Sequence, residues 1–507
     1  MRLCKAKAVA LYFTSFPMLF TTLAFAAFLP AATMLHWALP RRWRNLFLLA
    51  ASYWFYACWG VPMAGLLAGM TLVAWSGALL LARARTGRGK AVRFWTAAGL
   101  CLANLFFFKY WNFAATALTD ALAACGLGMR PHLLRLAMPV GVSFYTFKLL
   151  SYLADVRRGT AAPERNLVRF ALYVAFFPAI ASGPIDRAGG LLAQLRDEGR
   201  PFSEGKAVRG AQLFAWGLFK KLVVSDALAA IVDAAWKAAP AHAGATLCIV
   251  AVLYAIQLYC DFSGYSDMAI GAAKWFGLDL MENFRRPYFA RSFKEFWGRW
   301  HISLSTWLRD YVYIPLGGSR CGALRRRVNV LATFLVSGIW HGANWTFVAW
   351  GLLHGVAQVV EMPFVKKRPK GAPPPPRTVA GTAGDALRIA LTFVLACAFW
   401  VFFRAPSLPA AWAFLVQAAT DLGEPWVAVS ADLAKIGLDA DSALRLAPPL
   451  ALLLAFDIAS EFADPLDWLA RRPFLFRWAV HAAFIAFCVH HVLAYGRGGQ
   501  NFIYFQF

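Results

Sequence analysis

Residues 244–275 read GATLCIVAVLYAIQLYCDFSGYSDMAIGAAKW. About 20 predominantly apolar residues are enough for a helix to cross the roughly 30 Å hydrocarbon layer of a membrane, and this run exceeds that length. Further apolar stretches recur near residues 18–40, 45–60, 61–82, 94–116, 133–155, 167–185, 208–233, 328–361, 386–404, 445–462 and 474–495. The whole chain is 60% hydrophobic and only 15% charged, whereas about a quarter of the residues of an ordinary soluble domain are charged. The membrane is therefore the solvent, and helices that satisfy their own backbone are the expected structure. The expected fold is an all-α polytopic membrane protein with about ten to twelve transmembrane helices plus re-entrant and interfacial helices.

The apolar segments are never far apart, so residues 18–507 read as one integral-membrane domain, preceded by an N-terminal extension at residues 1–17. That extension carries Arg2, Lys5 and Lys7 ahead of an apolar run. Because no hydrophilic mature chain follows, it reads as uncleaved membrane insertion rather than an export signal. The segment KKRPKGAPPPPR at residues 366–377 is the one obvious linker, since consecutive prolines cannot continue a helix.

The formal charge of +25 is distributed in short clusters between apolar segments: Arg41, Arg42 and Arg44; Arg83 to Arg93; Arg157 to Arg169. Two apolar segments separate each cluster from the next, so all three fall on one side, and basic short loops mark the cytoplasm. The expected location is a membrane crossed many times, with lipids as surroundings. No contiguous basic face or fold motif for nucleic acid accompanies the charge. The nine cysteines form no CxxC pattern and imply neither disulfide nor metal site.

Polar residues enter the apolar pattern between residues 254 and 355. Asp261 and Asp267 lie in strongly apolar sequence, where an ionisable group is costly enough to mark a functional site; capping of a helix N-terminus is the alternative for Asp261. From Arg285 to Arg327 come ten basic and two acidic residues among aromatics. The segment 279–327 thus reads as a cytoplasmic interfacial amphipathic stretch. Its cations suit either lipid phosphates or the phosphates of an acyl donor, with Arg285, Arg286, Arg299 and Arg309 as candidates. His301 sits in this stretch. His341 lies in SGIWHGANWTFVAWGLLHG, residues 337–355, flanked by Gly338 and Gly342, which permit close approach of a backbone or substrate. A histidine on an apolar helix is either a packed core residue or, as a neutral imidazole, a group able to take a hydroxyl proton. His354, on the same apolar stretch, is a weaker candidate for that proton chemistry, and Trp340 and Asn344 flank His341 as substrate-contact candidates. The remaining six histidines have no neighbouring constellation. GxSxG, GxxxxGK and HExxH are all missing, which argues against hydrolase, ATP-driven transport and metalloprotease chemistry.

The motifs EFWGRWHISLSTWLRDYVYIPLGG and SGIWHGANWTFVAWGLLHG resemble the signature of the membrane-bound O-acyltransferase family, in its bacterial alginate O-acetyltransferase branch. MPVGVSFYTFKLLSYLADVRRG, FFPAIASGPIDR, GLFKKLVVSD, QLYCDFSGYSDMAIG and the C-terminal FIYFQF extend the similarity over most of the chain. Gly298 departs from it, standing where the family commonly has another Arg. The resemblance implies a ring of helices around a central tunnel. On the matching positions His341 is the family's catalytic histidine and His301 its second. It further implies acetyl transfer from a cytoplasmic thioester, acetyl-CoA, to a hydroxyl at the periplasmic end. His341 would act as base, His301 would position the donor or polarise its carbonyl, and Asp261 or Asp267 would shape the tunnel. No bound cofactor is implied. The acetyl group would pass to an exported polysaccharide through periplasmic acetyltransferase or esterase-like partners and the polysaccharide synthesis machinery. D-alanyl transfer to a cell-wall polymer is the alternative within the family. A non-enzymatic polysaccharide transporter accounts for the helices but not for histidines in these two motifs.

Overall fold

A computed structural model describes residues 18–128, 130–134, 137–364, 379–495 and 502–503. The N-terminal extension, the Pro-rich loop at 366–377 and most of the C-terminal FIYFQF lie outside the described residues. Those described are helical, with no strand among them. The helices used below are α1 (Leu23–Ala38), α2 (Arg41–Ala57), α3 (Val61–Ala82), α4 (Gly87–Leu105), α5 (Val142–Arg158), α6 (Leu167–Ala175), α7 (Glu204–Leu218), α8 (Asp226–Lys237) and α9 (Gly244–Trp275). They continue as α10 (Phe293–Arg299), α11 (Ile302–Leu308), α12 (Ala323–His341), α13 (Trp345–Glu361), α14 (Val379–Arg404), α15 (Leu408–Thr420), α16 (Trp426–Lys435), α17 (Ala440–Phe462) and α18 (Phe474–Tyr495).

Among the described residues, six helical stretches are long and apolar enough to cross a membrane: α3, Gly87–Ala124, α9, Ala383–Arg404, α17 and α18. α1 and α15 are shorter apolar helices. Against the roughly ten to twelve spans expected from apolar length alone, the fold divides several segments. Residues 167–185 form the nine-residue α6 and, past a break at Phe176, a single helical turn Phe177–Ile180. Residues 208–233 are split into α7 and α8 by a wider π turn, Phe219–Ser225, that carries buried Lys220 and Lys221. Residues 328–361 are the hairpin α12–α13, because Gly342 leaves the helix in an extended conformation and Asn344 caps the next one, accepting from the Thr346 N–H at 3.1 Å.

The helices gather into two compact units. The first takes in residues up to Phe214 and Tyr265–Glu282. Its interior is aromatic, with Phe20 stacked on Tyr265 at 4.7 Å and Phe25 edge-on to Phe177 at 6.2 Å. Within it α7 and α9 cross at Gly210 and Gly271, where a Cβ on either would strike the other's carbonyl, the small-residue contact that lets membrane helices pack closely. The second unit comprises Ala215–Gly264 and Asn283–Phe507. Its core holds Trp216, Phe219, Trp300, Trp350, Trp400 and Phe414, and it contains both motif histidines.

Candidate active site

His341 is the last residue of α12, so its side chain stands at a helix end rather than midway along an apolar span. Gly338 and Gly342 serve the neighbouring helix. A Cβ at Gly338 would strike the Phe347 carbonyl, and one at Gly342 the Phe347 ring. The His341 side chain is buried between Trp350, Trp340 and Phe403, with ring centroids at 4.8, 5.0 and 5.4 Å. The imidazole of His301 lies 6.4 Å away, centroid to centroid, and is itself 6.0 Å from Trp340 and 4.6 Å from Phe262.

His301 opens α11 with φ 43° and ψ 53°, the left-handed region that costs a β-carbon-bearing residue of order 1 kcal/mol or more. Asn283 brackets it. The Asn283 main-chain carbonyl accepts the Ile302 N–H at 2.9 Å. Its Oδ1 accepts the Ser303 N–H at 3.2 Å and the Ser303 hydroxyl at 2.8 Å, and lies 3.2 Å from His301 Nδ1. The histidine is fully buried, which holds its pKa down to about 3, so the ring is neutral.

The other sequence candidates separate. Asp261 is mid-helix in α9 and caps nothing. Its Oδ1 pairs with Lys221 Nζ at 2.7 Å, Lys221 also reaches Asp226 at 2.8 Å, and Asp261 Oδ2 accepts the Ile503 N–H at 2.8 Å. The carboxylate thus anchors backbone near the C-terminus, whose Phe502 packs on Phe262 at 5.9 Å. Asp267 belongs to the first unit and is half-buried. Arg286 Nε and Arg299 Nη1 converge on Glu461 Oε1 at 2.7 and 2.6 Å, and Arg299 also holds Glu295 at 2.8 Å. Arg285 is exposed. Arg309, bonded to Asp310 at 2.7 Å, lines a cavity of about 830 Å³ together with Lys294, Arg326, Ile302 and Ser337. Gly298 lines it too, with open space where its Cβ would be. Trp340 is a wall of the histidine site, and Asn344 is engaged as the α13 cap and with the Pro406 carbonyl at 3.1 Å. His354 is enclosed by aromatic rings and accepts the Trp297 indole N–H at Nδ1, 3.3 Å.

Two residues central to this arrangement carried no signal in the sequence. Asn283 and Glu461 are single polar residues whose partners are far off along the chain. Among the described residues no group of three or more His, Cys, Asp or Glu could hold a metal ion. The indole N–H groups of Trp300 and Trp350 are buried with no hydrogen-bond partner among the described residues. Chemically, the site offers an imidazole at a helix end, the neutral His301 imidazole beside it, and an indole N–H donor in a buried aromatic enclosure.

A sequence profile of the membrane-bound O-acyltransferase family matches residues 164–379. The chain is 38% identical to a probable alginate O-acetylase of Azotobacter vinelandii over 87% of this chain and 84% of the relative. It is 40% identical to the corresponding protein of Pseudomonas aeruginosa over 76% and 71%. It is 33% identical to a peptidoglycan O-acetyltransferase of Helicobacter pylori over 78% and 79%.

Proposed function

We propose, from the premise that this chain belongs to the membrane-bound O-acyltransferase family, that it moves an acetyl group from a cytoplasmic thioester to a hydroxyl of an exported polysaccharide. It is a multi-span membrane O-acyltransferase; the donor, the acceptor and its place in a bacterial inner membrane are the proposal. The observation that carries it is the buried His341–His301 pair, with ring centroids at 6.4 Å, built from the two motifs that mark the family. Identity to both alginate and peptidoglycan acetylating relatives supports acetyl as the acyl group and a glycan as acceptor.

In the reaction the acceptor oxygen attacks the thioester carbonyl carbon while His341 takes the hydroxyl proton. The carbonyl becomes a tetrahedral oxyanion, to which the buried Trp350 N–H is the neighbouring donor. Collapse breaks the C–S bond, and the departing thiolate receives the proton from His341, restoring the neutral imidazole. The enclosure of aromatic rings excludes water, which would otherwise hydrolyse the thioester. The cavity lined by Lys294, Arg309 and Arg326 fits a phosphate-bearing donor such as acetyl-CoA, because those cations can neutralise its phosphates. Periplasmic acetyltransferase or esterase-like proteins and the synthesis machinery are the proposed partners.

The test is transfer of radiolabelled acetyl from acetyl-CoA to glycan by the purified protein in liposomes. Label in the glycan that depends on His341 supports the reading. Label only when a D-alanyl carrier protein is supplied would replace it with D-alanyl transfer, and movement of glycan without transfer would replace it with a transporter.

A further inference from the structure

We propose that Asn283 is a positioning residue of the acyl-transfer site, fixing His301 as the Nδ1–H tautomer so that its Nε2 faces the reacting groups as a hydrogen-bond acceptor. The inference rests on the reading of His301 as part of that site, and it starts from one atom. Asn283 Oδ1 lies 3.2 Å from the Ser303 backbone nitrogen, which can only donate. The amide atom there must be the carbonyl oxygen, since the amide nitrogen would set two donors against each other. His301 Nδ1 faces that same oxygen at 3.2 Å, and two acceptors do not bond. Nδ1 therefore carries the proton, and in a neutral imidazole the proton-free nitrogen is Nε2.

This changes what His301 can do. An Nε2 lone pair cannot polarise a thioester carbonyl, which needs a donor. It can receive a hydrogen bond from the acceptor hydroxyl or from a His341 that has gained a proton. His301 then works beside His341 on the proton rather than on the donor's carbonyl.

The backbone points the same way. His301 is one of two residues other than glycine with positive φ among those described, and a strained conformation persists only where its surroundings over-determine it. Here one residue does so from both sides: the Asn283 carbonyl holds Ile302 and its side chain holds Ser303. A second rung, from the Arg285 N–H to the Arg299 carbonyl at 2.8 Å, ties the same two segments together. Such a bracket around one histidine is more than packing alone requires, because Phe262 and Trp340 already pack against its ring.

The experiment is a double-mutant cycle on the purified full-length enzyme with a pH profile beside it. Asn283→Ala is expected to lower kcat about tenfold to a hundredfold with little change in the donor KM, by analogy with the outer partners that orient metal-ligating imidazoles. Combined with His301→Ala it should cost no more than His301→Ala alone, since both remove one function. Asn283→Asp preserves the acceptor for Ser303 and for Nδ1 but adds a charge that stabilises the imidazolium. It should stay active at high pH and lose activity at a pH at least one unit above the acid limb of the wild type. Additive losses in the cycle together with an unshifted acid limb in Asn283→Asp would overturn the proposal. If His301→Ala itself turns over at the wild-type rate, the reading of His301 fails instead. Should Asn283→Ala not fold, Ser303→Ala and Asn283→Asp carry the cycle, because each leaves most of the bracket in place.

Discussion

His341 closes one helix and His301 opens another, and their imidazole centroids stand 6.4 Å apart. Both rings sit at helix ends. There the backbone departs from the regular spiral, and a side chain can be aimed by the turn rather than by helical spacing.

The first expectation follows from that pair. His341→Gln should lose roughly two to four orders of magnitude in acetyl transfer, because Gln keeps a hydrogen bond and much of the volume but cannot take a proton. His301→Ala should lose less. Normal helix content and thermal stability with wild-type turnover in His341→Gln would remove the base from its role. A packing role would instead lower yield or stability and leave the surviving enzyme's specific activity near normal.

The four arginine candidates should divide by what they touch. Arg309→Gln, at the cavity, is expected to raise the KM for acetyl-CoA severalfold with kcat nearly unchanged, as for a contact present in ground and transition states alike. Arg299→Gln, removing the cation bonded to Glu461 and Glu295, should instead cost about 1.5–3 kcal/mol of stability, the worth of hydrogen bonds to charged groups. Donor KM and thermal midpoint measured on both variants separate the cases. A donor-KM effect in Arg299→Gln without loss of stability would reverse the assignment.

The buried Lys221–Asp261 pair should show an asymmetric response. Lys221→Met leaves two carboxylates, Asp226 and Asp261, without their shared cation, and breaking a buried pair costs about 3–5 kcal/mol. The double variant Lys221→Met/Asp261→Leu removes one of those stranded charges and should recover part of the loss. Thermal unfolding in detergent reads both. A double variant less stable than Lys221→Met would show that the Asp261 bond to Ile503 N–H outweighs the charge.

The charge bias makes a topological expectation. The loops holding Arg83 to Arg93 and Arg157 to Arg169, and the segment from Arg285 to Arg327, should all face the cytoplasm. Cysteines introduced at Arg88, Arg158 and Arg320 in a cysteine-free background should resist an impermeant maleimide applied to intact cells. Labelling at any of the three from outside would move the donor to the other side.

Much of this protein was legible in one dimension. Apolar runs delimit α3, α9 and α18 at their observed bounds, because the length needed to cross a membrane and the exclusion of charge from it are properties of a segment alone. The two motifs named His341 and His301 by their likeness to a family. Tertiary structure decided the rest, and for one physical reason: inside a membrane protein both lipid and neighbouring helices are apolar, so a hydrophobic pattern says that a face is buried but not against what. Polar contacts settle that, and each needs a partner remote in the chain. So Glu461, at the end of an apolar helix, claims Arg286 and Arg299; Asp261 sits mid-helix as an anchor for Ile503 instead of a cap; and Asn283, without a motif of its own, brackets the left-handed turn at His301.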